Sequence, residues 1–335
     1  MVAYTCRMVE HNREADRFRI SRRQAIGGFA AGATAAWAAP SILTLDAAAA
    51  ASFVPLSPVA LGGGILRFYT ADALANWRHT TDGGDTWADA TTAPPFAPVL
   101  LAGQDVSAVT MGGGPLYYST TDGGITWTAA VVPPGFTADL ISQNGQIVAG
   151  PTDAYAFSAD GGDNWSTPTA PPLFTAALLA GTGLTALAMS ATGEYSNTID
   201  GGDNWVAPTT PPPFIATVLA GGGSNFVAAD PTDFVFSADG GDTFAAATSA
   251  PPFVPALLAG SGTAFVVTSG PSWAFSTDGG DNWTLASSIP PFVPTFLAGS
   301  GGASFVAADV GGNWAYSLDG GDTWLPPTTP PQILI

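Results

Sequence analysis

After residue 50 the chain has no lysine and no cysteine, and its only arginines are Arg67 and Arg78. Each shortage excludes a class of function. Without thiols there is no disulfide framework, no thiolate zinc site and no cysteine nucleophile, and the chain's single cysteine, Cys6, lies near its start. Two arginines stand against 22 carboxylates, a formal charge of about −20. Nucleic acid or an anionic membrane surface would be repelled by such a surface. No stretch after residue 50 holds a 3.6-residue apolar period, so helices are not expected. There is also no Gly-rich phosphate loop and no His/Cys metal cluster. His79, the sole histidine after residue 50, has no serine and acid beside it that would make a nucleophile triad. Neither a metal nor a cofactor is expected.

What the chain does have is a repeat. TTDGGDTW (80–87), TTDGGITW (120–127), SADGGDNW (158–165), TIDGGDNW (198–205), SADGGDTF (237–244), STDGGDNW (276–283) and SLDGGDTW (317–324) are variants of one word. Their leading aspartates, Asp82, Asp122, Asp160, Asp200, Asp239, Asp278 and Asp319, are spaced by 40, 38, 40, 39, 39 and 41 residues. A period near 40 marks a repeat architecture. Within each period, short apolar runs are separated by Gly, Pro, Ser and Asp clusters, which is strand-and-turn punctuation. Four antiparallel strands per repeat and seven repeats predict an all-β, seven-bladed β-propeller over residues 51–335. The blades fall near 53–92, 93–132, 133–170, 171–210, 211–249, 250–289 and 290–335.

The pattern Ser/Thr-x-Asp-x-Gly-x-x-Trp resembles the Asp-box, or bacterial neuraminidase (BNR), repeat. That repeat occurs in sialidases, xyloglucanase-type glycoside hydrolases, sortilin-type receptors and photosystem II assembly-factor propellers, so the resemblance speaks to fold more than to function. It implies that the box forms the turn between the third and fourth strands, on the rim away from a substrate face. Asp suits such a turn because it accepts its own backbone N–H groups, and Gly tolerates positive φ. The aromatic five positions on (Trp87, Trp127, Trp165, Trp205, Phe244, Trp283, Trp324) opens the fourth strand and is expected to hold it down. A Ca²⁺ site using Asp278 and Asp281 is the rival reading, without the ligand ladder of a known loop. Sialidase chemistry is not expected, because that family holds its substrate carboxylate with three arginines and this sequence supplies two.

What all seven copies share serves the scaffold. The aromatics five before each box Asp (Trp77, Tyr117, Tyr155, Tyr195, Phe234, Trp273, Trp314) read as inter-blade packing, with a ring of sugar-stacking platforms as the alternative. Pro-Pro-x-Phe linkers stiffen the crossing between blades. What differs between copies collects in the loops between second and third strands, which share a face with the linkers. Six carboxylates lie there: Asp72, Asp153, Glu194, Asp230, Asp233 and Asp309. They are the candidate ligand-binding residues, and in an enzyme they would supply the acid and base pair of a xyloglucanase-like glycoside hydrolase. The favoured reading is a non-catalytic, monomeric binding propeller whose partner is a glycan or an extracytoplasmic protein. Residues 333–335 are expected to lie against the first blade near Phe53 and help close the ring.

The first 50 residues have another composition. Six of the eight arginines lie here, Arg22-Arg23 precede an Ala/Gly-rich apolar run, and AAAAA (47–51) offers a cleavage zone. This resembles a twin-arginine (Tat) signal peptide. It implies handling by the twin-arginine translocase, cleavage near residue 50, and work in the periplasm, at the cell surface or outside a bacterium or archaeon.

Overall fold

The computed structural model describes residues 53–56, 58–64 and 66–334. The expected signal segment, with Arg22 and Arg23, lies outside them. Among the described residues every regular element is a strand, and the strands form the seven antiparallel blades of a β-propeller.

Blade six shows the unit. Leu257–Ser261, Ala264–Ser269, Ser272–Ser276 and Thr284–Leu285 pair in chain order, each antiparallel to the last. The second strand, AFVVTS, is buried along nearly its whole length. Its neighbour blades cover both faces, so an unbroken apolar run replaces the alternation of a one-sided sheet.

Fourth strands differ by blade, and the sequence explains how. Three residues after the box aromatic, Ala90, Ala130, Ala247 and Ala286 donate N–H to the carbonyls of Trp77, Tyr117, Phe234 and Trp273. Those four blades have a two-residue fourth strand. Blades three, four and seven carry Pro168, Pro208 and Pro327 at that position. Proline has no N–H to give. Their fourth strands shrink to the single bridges Phe157↔Ser166, Asn197↔Val206 and Tyr316↔Leu325.

The apolar core lies between blades. Val266 and Trp273 of blade six, for example, pack with Phe305, Ala315 and Trp324 of blade seven. The ring closes in the same way, with Val306 and Trp314 of blade seven against Phe68 and Trp87 of blade one. Here Phe53–Pro55 and Gln332–Leu334 also form an antiparallel pair, Phe53 opposite Leu334. Arg78 secures it: Nε donates to the Gln332 carbonyl at 2.8 Å, Nη2 donates to the same oxygen, and Nη1 pairs with Asp89.

Candidate functional site

The most repeated chemistry of the chain is spent on joints. In blade six the Ser276 hydroxyl donates to Asp278 Oδ1 at 2.8 Å and accepts the Gly280 N–H at 3.0 Å. Asn282 donates its backbone N–H to Asp278 Oδ1 at 3.0 Å and its amide to Oδ2 at 2.8 Å. Both oxygens of the leading aspartate are therefore used inside its own turn. Burial raises its pKa, but the Asn282 and Ser276 hydrogen bonds outweigh that and hold the carboxyl below its ordinary value. The same direction holds at Asp82, Asp122, Asp160, Asp200, Asp239 and Asp319.

The second aspartate of the box reaches further. Asp281 Oδ1 accepts the N–H of Thr248, which belongs to the linker arriving from blade five, at 2.9 Å. Asp85, Asp163, Asp203, Asp242 and Asp322 bind Thr328, Val131, Thr169, Thr209 and Ser287 in the same manner. The second glycine completes the joint. Gly280 sits at φ 101°, and a Cβ there would come within 2.3 Å of Val227 Cγ2 in blade five. Only glycine satisfies both the torsion and the approach. The box indole turns the same way: Trp283 donates to the Gly280 carbonyl at 2.9 Å and meets Phe234 of blade five edge-on, with ring centres 5.6 Å apart. It was expected to hold down its own outer strand; the structure places it against the preceding blade.

The third-strand aromatics are buried between blades as well. Tyr117, Tyr155 and Tyr195 donate their hydroxyls to the carbonyls of Phe136, Phe174 and Phe214 in the following linkers. Trp77 lies 5.0 Å from Trp127, and Trp273 lies 4.7 Å from Trp324. Rings held this way present no open stacking face.

At the hub, Gln143 crosses from blade three. Its Nε2 donates to the Gly260 carbonyl at 3.1 Å, and its Oε1 accepts the Gly221 N–H at 3.4 Å. The side chain stands between a cavity of about 220 Å³ on the linker side and one of about 180 Å³ on the box side. Aliphatic residues, among them Leu61, Leu101, Ile141 and Leu258, line the first. Sequence reading missed Gln143. Its signal is the break in the first-strand pattern, where blade three reads LISQNG and blade six reads LLAGSG.

The six loop carboxylates sit on the linker face, and nearly all serve their own turns. Asp72 accepts the N–H groups of Leu74 and Asn76, both at 2.9 Å, and the Asn76 amide at 2.7 Å. Asp309 does the same with Asn313. These repeat the box arrangement in another loop. Asp153 accepts the Thr175 hydroxyl at 2.5 Å. Glu194 Oε2 accepts the hydroxyls of Ser190 and Thr192, both at 3.2 Å. Only Asp230 and Asp233 come together, each within hydrogen-bond distance of the Thr232 hydroxyl, at 3.0 and 2.8 Å. Burial raises the Asp230 pKa, yet the N–H groups of Thr232 and Asp233 and the Thr232 hydroxyl bring it below the usual carboxylate range. The Asp233 N–H donates to Asp230 Oδ1 at 2.7 Å, but no carboxyl group of the six donates to another.

Blade one holds the remaining chemistry. The Arg67 guanidinium lies against Gly123 of the second box, and its Nη1 is buried without a partner. His79 is buried in the same joint, with Nδ1 unpartnered. Arg78 is occupied by the closing strand. One further concavity lies in blade four, a groove of about 480 Å³ beside Glu194, Leu173 and Pro208. Among the described residues no group of three or more His, Cys, Asp or Glu could hold a metal ion.

No family model and no curated protein matches the chain. Solved structures do. YCF48 bound to D1 peptide is 20% identical over 82% of this chain and 84% of that one, with a TM-score of 0.38. The Niastella koreensis GH74 enzyme is 16% identical over 81% of this chain and 43% of that one, with a TM-score of 0.48. PorZ of Porphyromonas gingivalis, an essential bacterial surface component of the type-IX secretion system, is 10% identical over 83% of this chain and 39% of that one, with a TM-score of 0.53. The likeness is one of fold. The chain spans less than half the length of the GH74 and PorZ structures.

Proposed function

We propose that this chain is an exported, non-catalytic Asp-box propeller that binds a protein or glycan partner on its linker face. The observation carrying this reading is the use of the loop carboxylates. Asp72, Asp153, Glu194, Asp230, Asp233 and Asp309 each accept hydrogen bonds within their loop or from the adjoining linker. A glycosidase needs one carboxyl held protonated opposite a second that is ionised. Asp230, in the one adjacent pair, moves in the wrong direction for a general acid. A surface of acidic turns suits recognition of a neutral or cationic partner. Export through the twin-arginine translocase, cleavage near residue 50 and a monomeric state belong to the same proposal.

The test incubates the full chain with a panel of plant and bacterial polysaccharides, measures reducing-end release, and runs each substrate beside a pull-down on its insoluble form. No release is the expected result, and retention in the pull-down would make the partner a glycan. Release abolished by Asp230→Asn or Glu194→Gln would replace this reading with a glycoside hydrolase. Export is checked by fractionating cells that carry Arg22→Lys with Arg23→Lys; the product is expected to stay in the cytoplasm.

A further inference from the structure

We infer that the groove of blade four receives an extended peptide with alternating apolar and basic side chains, the cation on Glu194 and a backbone N–H on the Tyr195 carbonyl. This rests on the binding reading above and assigns it a place and a ligand chemistry.

Three features meet in this groove of about 480 Å³. First, Pro208 stands where four other blades place an alanine N–H, so the Tyr195 carbonyl lacks the ladder donor those blades supply. An edge carbonyl of this kind is what an added strand pairs with. Second, Leu173 is 93% exposed beside half-buried Phe174, held out by the stiff Pro171-Pro172 step. Third, both hydroxyl donors to Glu194 approach Oε2, which leaves Oε1 for a ligand.

Charge selects the occupant. After residue 50 the chain has no lysine, and its two arginines are both in blade one. Arg78 is engaged by the closing strand, and Arg67 sits in the first joint. Among the described residues no cation serves Glu194, and a formal charge of about −20 after residue 50 attracts one from outside.

The other proline-bearing blades lack the combination. Blade three has Gly135 where blade four has Leu173, so the apolar wall is missing there, and its loop acid Asp153 accepts the Thr175 hydroxyl at Oδ1. In blade seven the linker runs into the closing strand Gln332–Leu334. Blade four alone sets an apolar wall, an unpaired edge and an open carboxylate side by side.

The experiment measures fluorescence anisotropy of three labelled octapeptides with the full chain: alternating leucine and lysine, leucine and glutamate, leucine and serine. The leucine–lysine peptide is expected to bind, and Glu194→Gln to weaken it by about tenfold. Pro208→Ala restores the N–H that takes the Tyr195 carbonyl, so it should weaken binding severalfold while the melting temperature holds or rises. Asp153→Asn, one blade away, should change nothing. Absence of peptide binding overturns the inference, as does equal weakening by Asp153→Asn, which would mean diffuse charge attraction. Glycan retention without peptide binding also overturns it but preserves the binding reading. Polysaccharide cleavage would instead overturn that reading.

Discussion

Ile125 stands where six other boxes have the second aspartate, and it lacks the carboxylate that clips the neighbouring linker. There the Thr91 N–H turns to the Ile125 carbonyl at 2.7 Å. Ile125→Asp should supply the missing acceptor and raise stability by about 0.5–1.5 kcal/mol. Asp281→Ala should lose a similar amount, and urea midpoints of the two variants check both signs. His79 is a second residue of this kind. It is 8% exposed, and burial lowers its pKa while Asp122 opposes and Arg67 adds to the shift. Below about pH 6.5 the unfolded histidine takes a proton that the folded one refuses. Stability should therefore fall as pH drops from there toward the folded value. His79→Phe, the residue that blades three, five and six carry in the matching strand position at Phe157, Phe236 and Phe275, should remove that slope. Midpoints at pH 8, 6 and 5 decide it. The role of the leading aspartates was legible in sequence because their partners lie within four residues. That of the second aspartates was not, because each donor lies more than thirty residues away on another blade.

At the scale of elements, strand number and order were readable from the period, and so in principle was the trimming of fourth strands. One proline three residues past the box aromatic separates the shortened blades from the others. Pro168→Ala should lengthen the fourth strand of blade three, and two-dimensional NMR should show a newly protected amide at residue 168. The closing strand makes the opposite case. Deleting 332–335 removes the pairing with Phe53–Pro55 and the acceptor of Arg78, so the melting temperature should drop clearly. An unchanged value would mean that the joint between blades seven and one is held by its aromatic packing alone.

Across the whole molecule, seven equivalent joints share one titration. The leading aspartates all have folded pKa values below their ordinary value. Their contribution is fully present above about pH 4 and is lost as pH falls through the folded values. Because each turn also seats a neighbour, acid unfolding should be one steep transition rather than a gradual loss of blades. Scanning fluorescence of the box tryptophans across pH 5 to 2 should show it. The propeller was legible because repetition makes a weak signal sevenfold. The candidate site was not, because aspartates that shape turns and aspartates that meet ligands look alike in sequence. Asp72 and Asp309 proved to be of the first kind, and the groove beside Glu194 depends on a proline fourteen residues further on.

The clasp also has a mechanical meaning. Phe53 and Leu334 face each other at the outer end of an antiparallel pair. A pull applied to these two residues loads the pairs one after another, as a zipper is loaded, rather than all together in shear. The ring should therefore give way first at this seam under modest tension, while the six remaining joints still carry no load. Once tension is released, the two strands remain attached to blades one and seven, so the same short pairing can re-form.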